Sequence, residues 1–384
     1  MRERPKIHFT PARNWINDPN GLIYHDGLFH IYFQHNPFGN KWGHMSWGHA
    51  TSKDLINWKE MSVAIPEQSD HAIFSGSAVF DEKNNRISAF YTAHKEGNQS
   101  QHLAFSYDEG NTFQLYENNP VLDLDLADFR DPKVIPYKDH WVMVVAKSKL
   151  LKLSFFRSND LINWEFLSDY VMPGITEIYE CPDLIEIDNH WVLFLSTNPG
   201  GPAGGSGMHY VIGEFDGTEF KGQTNPKPLD YGPDYYAAVT FSNCKERISL
   251  GWMNNWDYAN SRDLSEQSWN GSMTSARRLA IANGDLVQSF YPPTIKFKVP
   301  VDADFQFSYP NGAVKFNRDK DLMWIDRSEL WRESLKRFSI PVTGEILVEA
   351  IFDVGSVEIS LNGKFITFLL EAGSAAPHFE IIRT

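Results

Sequence analysis

The segment that decides the fold occurs twice. The chain reads Ser52-Lys53-Asp54-Leu55-Ile56-Asn57-Trp58 and, about a hundred residues later, Ser158-Asn159-Asp160-Leu161-Ile162-Asn163-Trp164. Residues 106–113 and 216–220 fit the same slot. Each is a polar turn closed by an aromatic residue. A turn that recurs about every fifty residues is typical of a β-propeller with one four-stranded blade per repeat.

Short apolar runs recur in step with these turns. They are rich in aromatic and β-branched residues, which is typical of buried strands. Five such runs predict five blades, so we expect a catalytic propeller domain over residues 1–295. A β-sandwich with chance similarity is the alternative, and the near-identical pair of turns argues against it. The runs are residues 28–33, 87–91, 141–145, 191–195 and 248–252.

A polar cluster precedes each apolar run by about ten residues. Because the innermost strands of a propeller line its central channel, five clusters in one register should converge at one end of that channel. The clusters are Asn17-Asp18, Ser75-Gly76-Ser77, Arg130-Asp131, Glu180-Cys181 and Asp234-Tyr235.

Three of the convergent side chains that we single out are carboxylates: Asp18, Asp131 and Glu180. Glycoside hydrolysis needs two carboxyl groups in different environments, one as nucleophile and one as proton donor. Donors around Asp18 favour its ionised form, which suits a nucleophile, whereas the apolar neighbours of Glu180 suit an acid/base. Asp131 lies beside Arg130 and is expected to stay charged; a purely structural ion pair is the alternative for these two residues.

The pattern changes after residue 295. Residues 296–384 alternate more regularly, and Asn362-Gly363 marks a tight hairpin. This predicts a short C-terminal β-sandwich-like module. The sequence predicts few helices, and residues 328–336 are the best short candidate.

Composition narrows the ligand class. A net charge of −14 argues against nucleic acid and anionic membranes as partners. Twelve Trp and fifteen Tyr exceed what a core needs and suit sugar-binding platforms. Two cysteines make no disulfide framework. The charged first residues show no signal peptide, which favours a cytoplasmic location by default, although a secreted mature chain would look the same.

Two weaker signals point away from cofactors. The Gly-rich run 200–207 is not followed by the Lys-Ser or Lys-Thr of a phosphate-binding loop, so we expect a mobile loop at the channel mouth. The histidines at positions 25, 30, 35, 44 and 49 lack the pair spacing of a catalytic zinc site. We therefore predict neither a cofactor nor a metal.

Several motifs together resemble glycoside hydrolase family 32, from about residue 7 to residue 295. The last two of them look most like its levanase, exo-inulinase and yeast-type invertase branch. The motifs are Trp-Ile-Asn-Asp-Pro-Asn-Gly (15–21), Phe-Gln-His-Asn-Pro (33–37), Trp-Gly-His-Met-Ser-Trp-Gly-His-Ala (42–50), Phe-Ser-Gly-Ser (74–77), Phe-Arg-Asp-Pro (129–132), Glu-Cys-Pro-Asp-Leu (180–184), the Gly-rich run 198–206 and Gly-Trp-Met-Asn-Asn-Trp (251–256).

The resemblance implies a five-bladed propeller, a retaining mechanism and β-D-fructofuranosyl substrates. It implies that Asp18 is the nucleophile, Glu180 the acid/base and Asp131 the transition-state stabiliser. The C-terminal module looks shorter than in most members. Residues implied to bind substrate are Trp15, Asn17, Gln34, Trp42, Phe74, Ser75, Arg130 and Trp252.

The function predicted is exo-acting release of terminal fructose from sucrose or fructans such as inulin and levan. An aromatic rim of Trp42, Trp47, Trp252 and Trp256 predicts a closed-ended pocket. A fructosyltransferase with the same double displacement is the nearest alternative. A non-catalytic fructan-binding propeller and a pentosidase on a related fold are further alternatives. The motifs set neither an oligomeric state nor a preference among the three substrates.

Overall fold

The structure is a computed structural model that describes residues 3–262, 264, 267–301, 303–371 and 377–383. Within these residues the regular structure is β-strand, apart from one 3-10 turn at Ser148–Leu150. The prediction of an all-β fold is confirmed. No helix in the described part of the chain is long and apolar enough to cross a membrane.

The first part of the chain forms five antiparallel sheets, here called sheets 1 to 5 in chain order. Sheet 1 also includes a short edge strand from later in the chain, β20 (Trp269–Asn270), which pairs in parallel with β1. The other strands of sheet 1 are β1 (Asn14–His25), β2 (Leu28–Asn36), β3 (Ser46–Ser52) and β4 (Trp58–Glu60); sheet 2 contains β5 (Ala72–Asp81), β6 (Arg86–Lys95), β7 (Asn98–Ser106) and β8 (Gln114–Leu115); sheet 3 contains β9 (Phe129–Tyr137), β10 (His140–Lys147), β11 (Lys152–Ser158) and β12 (Glu165–Tyr170); sheet 4 contains β13 (Ile178–Ile187), β14 (His190–Asn198), β15 (Gly207–Phe215), β16 (Phe220–Gly222) and β17 (Lys227–Pro228); sheet 5 contains β18 (Tyr236–Thr240), β19 (Ile248–Trp252), β21 (Arg277–Ala282) and β22 (Asp285–Phe290).

The five apolar runs are the second strands of these sheets. They lie in β2, β6, β10, β14 and β19, and their side chains are almost all buried. A strand with neighbours in its own sheet and sheets packed on both faces has no solvent-facing side, so its sequence is apolar without alternation. The prediction of buried strands at these positions is confirmed.

The first strands of the sheets meet in cyclic order. β1 contacts β5, β5 contacts β9, β9 contacts β13, β13 contacts β18, and β18 contacts β1. The polar clusters of the sequence lie on or next to these five strands. Residues far apart in the chain are thereby brought to one place.

The repeated turn has the same hydrogen bonds in both copies. The carboxylates of Asp54 and Asp160 each accept from the backbone N–H groups two and three residues later, at 2.7 to 3.0 Å. An aspartate that binds its own downstream backbone stabilises such a turn locally. The sequence repeat therefore corresponds to a repeat of structure.

The remaining strands form two further antiparallel sheets, here called the C-terminal module. Their facing sides share a core of buried apolar residues that includes Phe305, Phe316, Val348 and Ile359. One sheet contains β23 (Ile295–Val299), β28 (Ile346–Asp353), β29 (Ser356–Leu361) and β30 (Lys364–Leu369); the other contains β24 (Ala303–Tyr309), β25 (Gly312–Asp319), β26 (Leu322–Asp326), β27 (Arg337–Pro341) and β31 (His378–Arg383).

The helix predicted over residues 328–336 is wrong. This stretch forms turns and bends between β26 and β27. Its ends are held by bonds to other segments: Trp331 packs on Tyr258 with ring centroids 5.1 Å apart, and the Ser334 hydroxyl donates to Asp257 at 2.5 Å. Tertiary contacts of this kind override a weak helical preference.

A buried ionic network joins the module to the rest of the chain. The Asp353 carboxylate accepts the backbone N–H groups of Lys6, Ile7 and His8. The His8 ring lies between Asp353 and Glu358, with ring nitrogens 3.1 and 2.8 Å from their oxygens. Glu358 also accepts from Arg277 at 2.8 Å. These residues are here called the junction network.

Candidate active site

One pocket contains all three carboxylates that the sequence singles out. It has a volume of about 280 Å³ and lies where β1, β5, β9 and β13 approach one another. Six of the eight substrate-binding residues that the resemblance implies also line it. The lining residues are Asn17, Asp18, Gln34, Trp42, Phe74, Ser75, His94, Arg130, Asp131, Glu180 and Trp256.

Asp18 lies on β1 with its two carboxylate oxygens in different surroundings. Oδ2 accepts from the Ser75 hydroxyl at 2.7 Å and lies 3.5 Å from Cys181 Sγ. Oδ1 is enclosed without a hydrogen-bond partner. Burial raises the pKa of Asp18; the Ser75 hydrogen bond opposes this shift and the charge of Glu180 adds to it. Desolvation of the buried carboxylate outweighs the hydrogen bonds, so the pKa shift is opposite in direction to the one expected from neighbouring donors.

Two hydrogen bonds hold Asp131 in place, one from its backbone and one to its carboxylate. Its own N–H donates to Thr92 Oγ1 at 2.8 Å, and its Oδ2 accepts the N–H of Cys181 at 2.9 Å. Burial raises the pKa of Asp131 to about 7, against the lowering effect of Arg130 and with a further increase from Glu180. The prediction that Asp131 is permanently charged is therefore wrong, because a neighbouring guanidinium does not offset its burial.

Arg130 has other partners than its neighbour in sequence. Its Nη2 donates to Glu180 Oε1 at 3.3 Å, and its Nη1 donates to Asp128 at 3.0 Å and to Gln99 at 3.1 Å. Arg130 thus pairs with the nearby Asp128 and, across the fold, with Glu180, in place of the pair with Asp131 that the adjacent residues suggest. Arg130 and Glu180 face the pocket together.

Tyr236 completes the surroundings of Glu180. Its hydroxyl donates a short hydrogen bond to Glu180 Oε2, so both carboxylate oxygens of Glu180 have a donor. Tyr236 is buried and is the first residue of β18. The fifth polar cluster predicted from the sequence is Asp234-Tyr235, and neither residue lines the pocket. That prediction is wrong for Asp234, which forms a buried ion pair with Arg327 outside the pocket lining.

The pocket wall contains fewer tryptophans than predicted. Trp42 is 44% exposed and Trp256 is partly exposed, and both line the pocket. Trp15, Trp47 and Trp252 are fully buried. The prediction of an aromatic rim is therefore wrong for Trp47 and Trp252.

Trp15 and Trp252 support the pocket wall from behind. Their ring centroids lie 5.8 and 4.9 Å from that of Trp256. The Trp15 indole N–H also donates to Asn17 Oδ1 at 2.7 Å and thereby orients an amide of the pocket. Neither tryptophan lines the pocket itself, so the structure gives them contact with pocket residues instead of contact with a ligand.

His94 and Tyr236 were missed by the sequence reasoning. The His94 ring stacks on Phe74, with centroids 4.4 Å apart, and faces the pocket. His94 lies near the end of β6, just as Gln34 lies near the end of β2, the equivalent strand of sheet 1. The shared position on the second strand is a signal that could have identified His94.

The Gly-rich run is a hydrogen-bonded loop outside the pocket lining. Gly200 N donates to Gly205 O at 2.9 Å, and the Asn255 side chain donates to Ser206 O and Pro233 O at 3.2 and 2.6 Å. Asn255 thereby ties the loop to the segment that carries Trp256. Among the described residues no group of three or more His, Cys, Asp or Glu side chains has a metal-binding arrangement.

Comparison with known proteins identifies the class. The profile of the Glycosyl hydrolases family 32 N-terminal domain matches residues 8–290. The chain is 42% identical over 311 residues to an extracellular exo-inulinase of Meyerozyma guilliermondii, a match that covers 74% of this chain and 60% of that protein. It is 40% identical over 306 residues to a levanase of Bacillus subtilis, covering 72% of this chain and 45% of that one.

Solved structures agree with this result. An exo-inulinase from Aspergillus awamori superposes with a TM-score of 0.90 at 28% identity, covering 100% of this chain and 96% of that one. A fructofuranosidase from Schwanniomyces occidentalis, solved with fructose, superposes with a TM-score of 0.89 at 31% identity, covering 99% and 95%. The chain belongs to glycosyl hydrolase family 32. It spans 60% of the length of the exo-inulinase that it matches in sequence.

Proposed function

We propose that this protein is a retaining β-fructosidase that releases terminal β-D-fructofuranosyl residues from sucrose and fructans. The observation that carries the proposal is the convergence of Asp18, Asp131 and Glu180 in one pocket of about 280 Å³. A volume of this order holds one hexose ring rather than a chain of them. Paired carboxyl groups in different surroundings are the machinery of retaining glycosidases.

In the first step Asp18 attacks the anomeric carbon of the bound fructosyl unit. A bond forms between a carboxylate oxygen and that carbon, and the glycosidic bond breaks. The departing oxygen takes a proton from Glu180, so the leaving group is neutral. Arg130 and Tyr236 hold the two oxygens of Glu180 and fix the direction in which its proton is delivered.

In the second step water hydrolyses the fructosyl-enzyme. Glu180, now a carboxylate, takes a proton from water while the water oxygen bonds to the anomeric carbon. The ester bond to Asp18 breaks, and fructose leaves with its configuration retained. Asp131 accepts hydrogen bonds from sugar hydroxyls as positive charge develops on the ring, and it is restrained for that task by the Cys181 N–H.

The exo mode follows from the wall of the pocket. Trp42, Phe74 and Trp256 border the carboxylates on one side, and the other side is the packed first strands. We expect such a site to take a terminal fructose in preference to an internal one. The exo-inulinase and levanase relatives support fructan chains as substrates beside sucrose.

We also propose the domain organisation that the repeat suggested. Sheets 1 to 5 form the blades of a five-bladed propeller over residues 1–295, and residues 296–384 form a short sandwich-like module. The cyclic contacts among β1, β5, β9, β13 and β18 support this arrangement.

The proposed function requires no cofactor or metal, no nucleic acid and no membrane.

The test is a time course of products from sucrose, inulin and levan. Almost pure fructose at low conversion of inulin is expected, and a ladder of oligosaccharides would contradict the exo mode. Fructosylated products at high sucrose concentration would instead indicate the transferase. Fructan binding without any release of fructose would indicate a non-catalytic propeller. The Asp18→Asn variant is the control for background hydrolysis.

A further inference from the structure

Arg327 of the C-terminal module forms a buried triangle with two residues of the N-terminal part. Its Nη1 donates to Asp234 Oδ2 at 2.8 Å, and its Nη2 donates to the Tyr258 hydroxyl at 3.2 Å. The Tyr258 hydroxyl in turn donates to Asp234 Oδ1. All three side chains are buried. The triangle therefore links one cation of the module to two separate segments around sheet 5.

Both of these segments lead directly to the pocket. Asp234 is two residues before Tyr236, whose hydroxyl donates to Glu180. Tyr258 is two residues after Trp256, which lines the pocket. Each partner of Arg327 therefore lies two peptide units from a side chain that contacts Glu180 or lines the pocket.

The two segments are also bonded to each other close to the triangle. The Asn255 amide donates to Pro233 O at 2.6 Å, so the residue before Trp256 is fixed to the residue before Asp234. Trp256 N donates to the Ser206 hydroxyl at 3.2 Å. The segments are thus one connected unit. From the module, Arg327 binds both segments, while the Leu369 N–H donates to Asp234 and the Ser334 hydroxyl to Asp257.

The guanidinium of Arg327 donates hydrogen bonds from all three of its nitrogens. Nε donates to Leu335 O at 3.1 Å, Nη1 also donates to Leu369 O at 2.8 Å, and the group stacks over Trp331 at 4.4 Å. A planar fork can hold a carboxylate and a phenol at fixed positions at the same time. A lysine keeps the charge but lacks the fork.

We propose that Arg327 is a positioning residue for the active site, through which the C-terminal module sets the places of Tyr236 and Trp256. The inference rests on the proposed function, because Tyr236 acts through Glu180 and Trp256 through the bound sugar. It assigns the module a part in catalysis beyond its share in stability. The junction network makes a second, separate connection between the same parts, which supplies a matched control.

The experiment compares Arg327→Lys and Tyr258→Phe with Asp353→Asn in the junction network. Fructose release from sucrose is measured over a range of pH, well below the Tm of each variant, and fructose binding is measured by calorimetry. For Arg327→Lys and Tyr258→Phe we expect kcat/KM to fall roughly 10-fold. The alkaline limb of the pH profile of kcat/KM should change, and fructose should bind more weakly. Asp353→Asn should lower the Tm and leave kcat/KM, the pH profile and fructose binding at wild-type values.

Suppose that Arg327→Lys and Tyr258→Phe both fold and keep wild-type kinetics, pH profile and fructose affinity. That result would overturn the positioning role of Arg327 and leave the proposed function intact. If Arg327→Lys does not fold, Tyr258→Phe decides alone, because it removes only a hydroxyl and keeps the ring against Trp331. If the wild type releases no fructose, the proposed function fails, and the fructose affinities of the variants decide whether Arg327 positions the pocket. Absence of fructose binding by the wild type would overturn both.

Discussion

Buried acidic groups occur at two places in this molecule and behave in opposite ways. In the pocket, burial and mutual repulsion raise the pKa of Asp18 and bring that of Asp131 to about 7. In the junction network, burial also acts to raise the pKa of Glu358, but hydrogen bonding by His8 and the charge of Arg277 outweigh it and lower the pKa to about 2. Both groups of carboxylates are buried. They differ in whether nearby cations are close enough to offset the effect of burial on the pKa.

The two groups of carboxylates are expected to serve different ends, the pocket carboxylates activity and the junction carboxylates stability. A carboxylate that is buried without full compensation destabilises the fold but is ready to react with an electrophilic carbon. A carboxylate between a histidine and an arginine is held in its charged form, and removal of either partner takes away part of that compensation. Loss of a charge in the pocket should therefore lower activity without lowering stability. Loss of a charge in the junction network should lower stability without lowering activity.

The largest effect is expected for Asp18→Asn. The amide keeps the shape of the side chain but cannot attack, so kcat should fall by roughly 10³-fold or more. The Tm should stay the same or rise, because a poorly solvated carboxylate is removed. Activity on sucrose and a thermal melt check this. Turnover near the wild-type level, or loss of activity through unfolding, would contradict the role of Asp18.

The next effect distinguishes Glu180 from Asp131. Glu180→Gln should be strongly impaired on sucrose and suffer least with a fructosyl fluoride, whose leaving group needs no proton. Asp131→Asn should be impaired on both substrates, because its role is to stabilise charge. Rates on the two substrates check this. Rescue of Asp131→Asn in place of Glu180→Gln would require the two roles to be exchanged.

A third change addresses the junction network. Glu358→Gln takes one of two carboxylate partners from Arg277, which keeps Asp230, and one of two from His8, which keeps Asp353. The free energy of unfolding should fall by about 2 kcal/mol. Below its Tm the variant should keep wild-type kcat/KM on sucrose. Chemical denaturation and steady-state kinetics are the measurements. A large loss of kcat/KM in the folded variant would show that the junction network also shapes the pocket.

The smallest effect is the dependence of stability on pH. The pKa of Asp131 is raised in the folded state, so its ionisation costs stability above about pH 7 and nothing below about pH 4, where it is protonated in both states. Asp131→Asn should therefore gain Tm relative to the wild type as the pH rises from 4 to 8. A Tm difference that is independent of pH would contradict the raised pKa.

The junction network should lose stability at both ends of the pH range. Burial lowers the pKa of His8, but hydrogen bonds and the charges of Asp353 and Glu358 raise it to about 9. Its contribution is complete below about pH 6.5 and is lost as the pH rises through 9. Glu358, with a pKa of about 2, contributes above about pH 4.5 and loses that contribution as the pH falls through 2. Melts of Glu358→Gln across this range check both signs.

Much of this protein is determined by its sequence alone. The repeated turn is local, because each aspartate binds the backbone of its own next residues, and the apolar runs are local patterns of burial. Both can be recognised from a single sequence. The three carboxylates were predicted because each occupies the same place in its own repeat, and residues in equivalent places of a cyclic array converge.

The tertiary structure alone decided the environment of those residues. Whether Asp18 and Asp131 are ionised depends on the balance between desolvation and distant donors such as Ser75 and Cys181. The choice of Trp256 over Trp252 for the pocket wall, and the pairing of Asp234 with Arg327, depend on contacts between segments far apart in the chain. Charge and packing at a buried site are set by all the groups around it, and their distances exist only in the folded molecule.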